Sequence, residues 1–396
     1  MAELGTKAAQ LLGLRLRRAR LQRNWSQEGL CRGICAVSWL SKIEQGKAAA
    51  SPEVLALLLD RLDLPHGGLT DGDPQLGEAV ERQYELLFSG DEQALADAWP
   101  AFSALLPQLS YSLWCADALL LAAAHSRDVS AIDPSWAGLF DARQTALYLL
   151  LQGQARQAAE WQPTDYFLLQ AGIEAYEKGE YYAALPLLSQ SYDRAARAGQ
   201  AYLMLAAMSY TGNSYCNLLM PRQMEEAYTV ARRLAVALGQ TEMLETIEYN
   251  RASAQLEAGE YRQAHAYFSS LEQPGPMALH KLAVCCEKLG DRAGALRALD
   301  RAEQLTCDYP PPALAGAMLA LVRFRLLHSD YLEQPAYGEL LLGTFEELRR
   351  ALPIGYATFH LPWVMEWYVA RRQYKQAYQL ACEFSGVNYL HTFPQN

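Results

Sequence analysis

The chain has 396 residues, 51% of them hydrophobic, which is enough for more than one domain and a large core. Its net charge of −10 is uneven: residues 1–64 hold ten Lys/Arg against six Asp/Glu, and the remainder holds 24 against 38. A head of net +4 on a body of net −14 fits a nucleic-acid reader whose larger part does not adhere to nucleic acid. The polar start has no apolar signal-peptide core, and no apolar run reaches the ~18 residues of a membrane span. A soluble, cytoplasmic chain is therefore expected.

An opening helix is expected over residues 11–22, with Leu12, Leu16 and Ala19 as its apolar stripe and Arg15, Arg17, Arg18 and Arg20 around it. Ser26 is a good N-cap for a short second helix over Gln27, Glu28 and Leu30, which Gly33 breaks. A third helix is expected from Ala36 to Gln45. Val37, Leu40 and Ile43 form its buried stripe, and Gly46 its C′ glycine. Short helix, glycine turn and a second helix with a polar, cationic face make a helix-turn-helix, whose second helix enters a DNA major groove. Cys31 and Cys35 flank the turn without further metal ligands and read as packing residues.

The wording of this stretch is more specific than its pattern. Gly33-Ile34-Cys35, then Ser38 to Glu44 (SWLSKIE), then Gly46-Lys47 resemble the Xre-type DNA-binding domain of the RRNPP family. These are Gram-positive peptide-pheromone receptors with a tetratricopeptide (TPR) domain behind the head. Trp39 stands where tyrosine is commoner. The resemblance implies that Arg20 pairs with Glu44 and holds the recognition helix rather than reading bases.

For DNA contact the candidates are Gln27, Ser38, Trp39, Lys42 and Lys47. Gln27 opens a helix, where an amide and free N–H groups suit a phosphate. Ser38 and Trp39 lie near the start of the recognition helix, the part that reaches base edges, although Trp39 is equally suited to packing on the first helix. Lys42 and Lys47 suit phosphates.

Ser51-Pro52-Glu53 starts a fourth helix, with Val54, Leu55, Leu58, Leu59 and Leu62 facing the others. Residues 65–77 hold four glycines and two prolines and read as a linker. The domains are then 1–64 for DNA binding, 65–77 as linker and 78–396 as a helical body.

That body repeats. Residues 172–192, 252–271 and 283–302 each carry a small residue, a glycine-acid turn (at Gly179, Gly259 and Gly290) and an alanine some four or five residues on. A divergent unit fits between the first two, Arg372-Gln373-Tyr374 marks another without a turn glycine, and Gly153 and Gly90-Asp91 mark degraded ones. The pattern resembles TPR, so the expected fold is all-α, a helix-turn-helix followed by a TPR-like right-handed solenoid. The phase places Tyr166, Tyr176, Asn213, Asn217, Tyr249, Glu257, His280 and Glu287 on the inner face, with Asn250 adjoining. The peptide-binding candidates are Tyr176, Asn213, Asn217, Tyr249 and Asn250. Asn213 and Asn217 share a helix face and can pair with a peptide backbone, as asparagines do in RRNPP receptors.

No HExxH, GxGxxG, Walker or GxSxG motif occurs, so neither catalysis nor a cofactor is expected. The expected function is a cytoplasmic transcription regulator that binds a DNA operator as a homodimer and is controlled by a short signalling peptide. The alternatives are a TPR interaction scaffold, or a regulator controlled by a protein partner.

Overall fold

The computed structural model describes residues 2–66, 69, 74–218, 220–305, 310–352 and 354–384, with side chains from residue 7 onward. Among them every regular element is helical and there is no strand. The chain divides into two compact units, residues 1–176 with 182–210, and residues 177–181 with 211–396.

The first unit opens with α1 (Ala2–Gln22), α2 (Gln27–Cys31), α3 (Val37–Ile43) and α4 (Pro52–Arg61). Ser26 caps α2 by accepting from the Gly29 N–H at 2.9 Å, and Ser51 caps α4, with Pro52 at its first position. Leu12, Leu16, Ala19, Leu30, Leu40, Ile43, Leu55, Leu58 and Leu59 are buried together. Val37 departs from expectation: it is 42% exposed. At about 100° per residue, steps of three drift about 60° each, so Val37 lies about 120° from Ile43 and faces out.

Behind these lie α5 (Pro74–Ser89), α6 (Glu92–Leu109), α7 (Cys115–Ser126), a 3-10 turn (Pro134–Leu139), α8 (Ala142–Leu151), α9 (Ala155–Trp161), α10 (Asp165–Glu177) and α11 (Tyr181–Ala198). Most of the expected linker lies outside the described residues, but its last four are helical, because Pro74 serves as a first helical residue. The compact units do not divide at that linker. One apolar core runs from Ala9 through Phe167, and α1 packs on α7 and the 3-10 turn. Arg15, expected in a solvated basic ring, instead lies 5.5 Å from the centre of the Tyr111 ring. The apolar run over residues 113–124 is a buried helix. Its Asp117 accepts from Tyr84 Oη at 2.9 Å and Gln144 Nε2 at 3.0 Å. No helix among the described residues is long and apolar enough to cross a membrane.

α12 (Ala201–Asn217) is divided between the units. The second unit continues with α13 (Pro221–Ala237), α14 (Thr241–Glu257), α15 (Tyr261–Ser270), α16 (Pro276–Leu289), α17 (Arg292–Glu303), α18 (Pro312–Leu327), α19 (Pro335–Ala351), α20 (Ile354–Ala370) and α21 (Tyr374–Phe384). From α13 on each helix packs on the next, and α16 also packs on α14 and α18. The alternate helices from α10 start at residues 165, 201, 241, 276, 312 and 354, a spacing of about 35–42 residues. The turn glycines Gly179, Gly259 and Gly290 take left-handed φ of 76°, 84° and 81°. Where the glycine is missing, Arg372 takes φ 57° itself.

Two histidines close the core of this unit. His280 and His360 are buried, their rings 5.9 Å apart, and the Nε2 of each has no hydrogen-bond partner. Burial pushes His360 down to about 4, partly opposed by its hydrogen bond to the Tyr356 carbonyl, and pushes His280 well below its ordinary value. The unfolded chain, titrating near 6.5, therefore takes up protons that the folded chain refuses. Stability is complete above about pH 6.5 and falls as pH drops toward 4. His360 alone should account for about 3 kcal/mol of that loss. Urea unfolding followed by tryptophan fluorescence at pH 7 and pH 4.5 should show it. His360→Phe should lose correspondingly less stability on acidification than the wild type.

Candidate nucleic-acid interface

The interface is built around one buried ion pair. Arg20, at the end of α1, donates through Nε to Glu44 Oε1 at 2.5 Å and through a terminal nitrogen to Glu44 Oε2 at 2.7 Å. Glu44 is the C-cap residue of α3, and the two side chains are 8% and 1% exposed. Arg20 also donates to the Trp25 carbonyl at 2.6 Å, and Gln27 Nε2 donates to Glu44 Oε2 at 2.7 Å. Hydrogen bonding to Glu44 holds the guanidinium charged against the cost of burial. One carboxylate thus fixes the ends of α1 and α3 and the start of α2. The expected Arg20–Glu44 pair is present, whereas the side-chain amide of Gln27, expected at a phosphate, is engaged with Glu44.

Glycine 13, which the sequence reading did not single out, sets the distance between α1 and α3. A Cβ there would lie 2.4 Å from the Ile43 carbonyl oxygen and 2.9 Å from Ile43 Cγ2. The crossing is close because that position has no side chain. A small residue one position past the Leu12 of an apolar stripe was the available signal.

With α3 so held, Val37, Ser38 and Lys42 are exposed on it, Ser41 is half-buried, and Gln45 and Lys47 are exposed just beyond. Gln45 Nε2 donates to Ser41 Oγ at 3.0 Å, a contact that orders the far end of this face. Trp39 is half-buried and packs against the apolar core, the second of its two expected roles. An exposed face of hydroxyls, an amide, a valine and two ammonium groups can donate to phosphates and base edges and touch a thymine methyl.

The peptide-binding candidates fall in different units. Tyr176 belongs to the first, where its ring stands edge-on to Tyr210 at 5.3 Å. In the second, Asn213 Oδ1 accepts from Tyr228 Oη at 2.6 Å and from Asn250 Nδ2 at 3.1 Å, and Asn217 Nδ2 donates to the Asn213 carbonyl at 2.8 Å. The three asparagines thus form one intramolecular cluster, while the Tyr249 ring stands edge-on to Phe268, centres 5.7 Å apart. Gly212 permits this: a Cβ there would meet the Tyr228 ring at 2.3 Å. Three expected inner-face residues are otherwise placed. His280 is buried, and Glu287 pairs with Arg325 at 2.8 Å. Tyr166 packs its ring against Phe88 at 5.0 Å. Arg232 and Arg251 pair with Glu248 and Glu225. Missed altogether were Lys281 and Arg325, because their roles depend on helices distant in sequence.

Residues 11–71 match the profile of a helix-turn-helix domain family. No curated protein matches the chain. The amino-terminal segment is a helix-turn-helix domain, which suggests a DNA-binding regulator.

Removing one partner of the buried pair leaves the other charge uncompensated. Glu44→Ala should cost roughly 3–5 kcal/mol, and the double change Arg20→Met with Glu44→Leu should recover most of it. Gly13→Ala should cost roughly 1–3 kcal/mol by forcing α1 from α3. Urea denaturation curves of the four proteins check all three values.

Proposed function

We propose that the chain is a cytoplasmic transcription regulator that binds an operator through α3 and is controlled by a short signalling peptide, in the manner of RRNPP receptors. The single observation that carries DNA binding is the exposed hydroxyl, amide and ammonium face of α3, anchored from behind by Arg20 and Glu44. The 35–42-residue recurrence of helix pairs supports reading the body as a TPR-like solenoid, an architecture suited to extended peptides. The half-buried amides of Asn217 and Asn250 support a peptide-backbone ligand there. A homodimer follows from the need of one recognition helix for a second half-site. No step of this reading requires catalysis or a cofactor.

Selection from genomic fragments by the purified protein, at near-physiological salt, tests it. The expected result is a two-fold symmetric site. Lys42→Ala and Lys47→Ala should each weaken binding alike on all sequences and flatten the log–log salt slope by about 0.9. Ser38→Ala should relax preference at a base pair. No enriched site would overturn the regulator and leave a protein-binding scaffold.

A further inference from the structure

Among the described residues of the second unit, Lys281 is a deeply placed cation with no ion-paired carboxylate. Lys281, on α16, donates to Ser253 Oγ of α14 at 2.5 Å. Its Nζ lies 4.5 Å from the Tyr249 ring centre and 6.0 Å from that of Phe359, on α20. Three helices therefore surround one ammonium group. Among the described residues, no carboxylate lies within ion-pairing distance of it, and Glu257 acts on it only through space. Every other deeply placed cation in this unit has such a partner: Arg251 pairs with Glu225 and Arg325 with Glu287. Lys281 is half-buried rather than fully enclosed. Burial pushes it down to about 8, which leaves it charged at neutral pH. An ammonium with three donors, one of them used, and no ion-paired carboxylate can hold an anion.

Its surroundings say which anion. Asn250, Ser253 and Glu257 recur at three- and four-residue steps, so they share one face of α14. The asparagine cluster thus lies about 5 Å, one helical turn, along that face from the hydroxyl that Lys281 touches. Gly355 brings α20 up to the same cluster: a Cβ there would lie 3.2 Å from Asn217 Oδ1. Amides, two aromatic rings and an ammonium group in succession fit a chain with a peptide backbone, an apolar side chain and a carboxylate. Phosphate is disfavoured, since the site has no arginine and has Glu257 at its edge.

We propose that Lys281 anchors a carboxylate of the regulatory peptide, whose backbone lies along Asn217 and Asn250. This deepens the peptide reading above and rests on it. The carboxylate is either the peptide's own terminus or an Asp/Glu side chain.

The probe is a pool of random synthetic heptapeptides, made as free acids and as carboxy-terminal amides, each with and without Asp/Glu. Peptides retained by the full-length protein after gel filtration are identified by mass spectrometry. The wild type should retain acids over amides, or Asp/Glu-containing peptides over the rest, by at least about tenfold. The first preference identifies the terminus and the second a side chain. Lys281→Met, which loses no ion pair, should abolish the preference, and Lys281→Arg should restore it. Equal retention of all four pools by the wild type would overturn the proposal and leave the peptide reading standing, as would an unchanged preference in a folded Lys281→Met. Retention of no peptide in any pool would overturn both.

Discussion

The pairing of Arg20 with Glu44 is the constraint on which the DNA-binding face depends. A salt bridge taken out of water is a weak source of stability, because desolvating both charges offsets most of their attraction. Its value here is directional. The guanidinium fork meets both carboxylate oxygens at once, and a third donor, Gln27, meets one of them again. Apolar side chains would hold α3 nearby without fixing its rotation. A doubly hydrogen-bonded pair at its C-terminus admits one rotation, the one that turns Ser38 and Lys42 outward.

The second unit solves a different problem with less chemistry. Its helices meet where a residue is small, as at Gly212, and turn where a residue accepts left-handed φ. These requirements leave most positions unconstrained, so polar groups can collect where alternate helices face one another. The asparagine cluster, Lys281 and the Arg325 network with Glu287, Glu366 and Tyr337 are all of this kind. Arg325 is satisfied by its own chain, and Lys281 is not.

Much of the head was legible in the sequence because its signals are local. A capping serine, a turn glycine and the wording of α3 are read within a few residues of where they act. The turns at Gly179, Gly259 and Gly290 were legible for the same reason. Three features were not. Val37 was misplaced because a three-residue step only approximates a helical turn. His280 was assigned to the inner face from repeat phase alone, while the residue that buries beside it, His360, is 80 positions away. The asparagines were foreseen as free amides, and their mutual hydrogen bonds depend on α12, α13 and α14 coming together. Local rules place elements. Which polar groups satisfy each other is decided by packing.

The docking of α1 has a consequence for how the head behaves as a piece of matter. A reading head strung on a linker melts by itself, and nothing that happens to the body changes its population of folded molecules. Here Leu12 and Leu16 belong to the same apolar core as Leu120 and Phe167, and Arg15 rests on Tyr111. The helix that carries Arg20 is thus a shared wall. Its removal from α7 exposes apolar surface on both sides, so head and adjoining helices gain and lose structure together. Severing the backbone between residues 66 and 74 would leave two fragments still held by that wall. Whatever tightens α7 raises the fraction of molecules with α3 correctly set, and by reciprocity any ligand that holds α3 in place would stiffen α7.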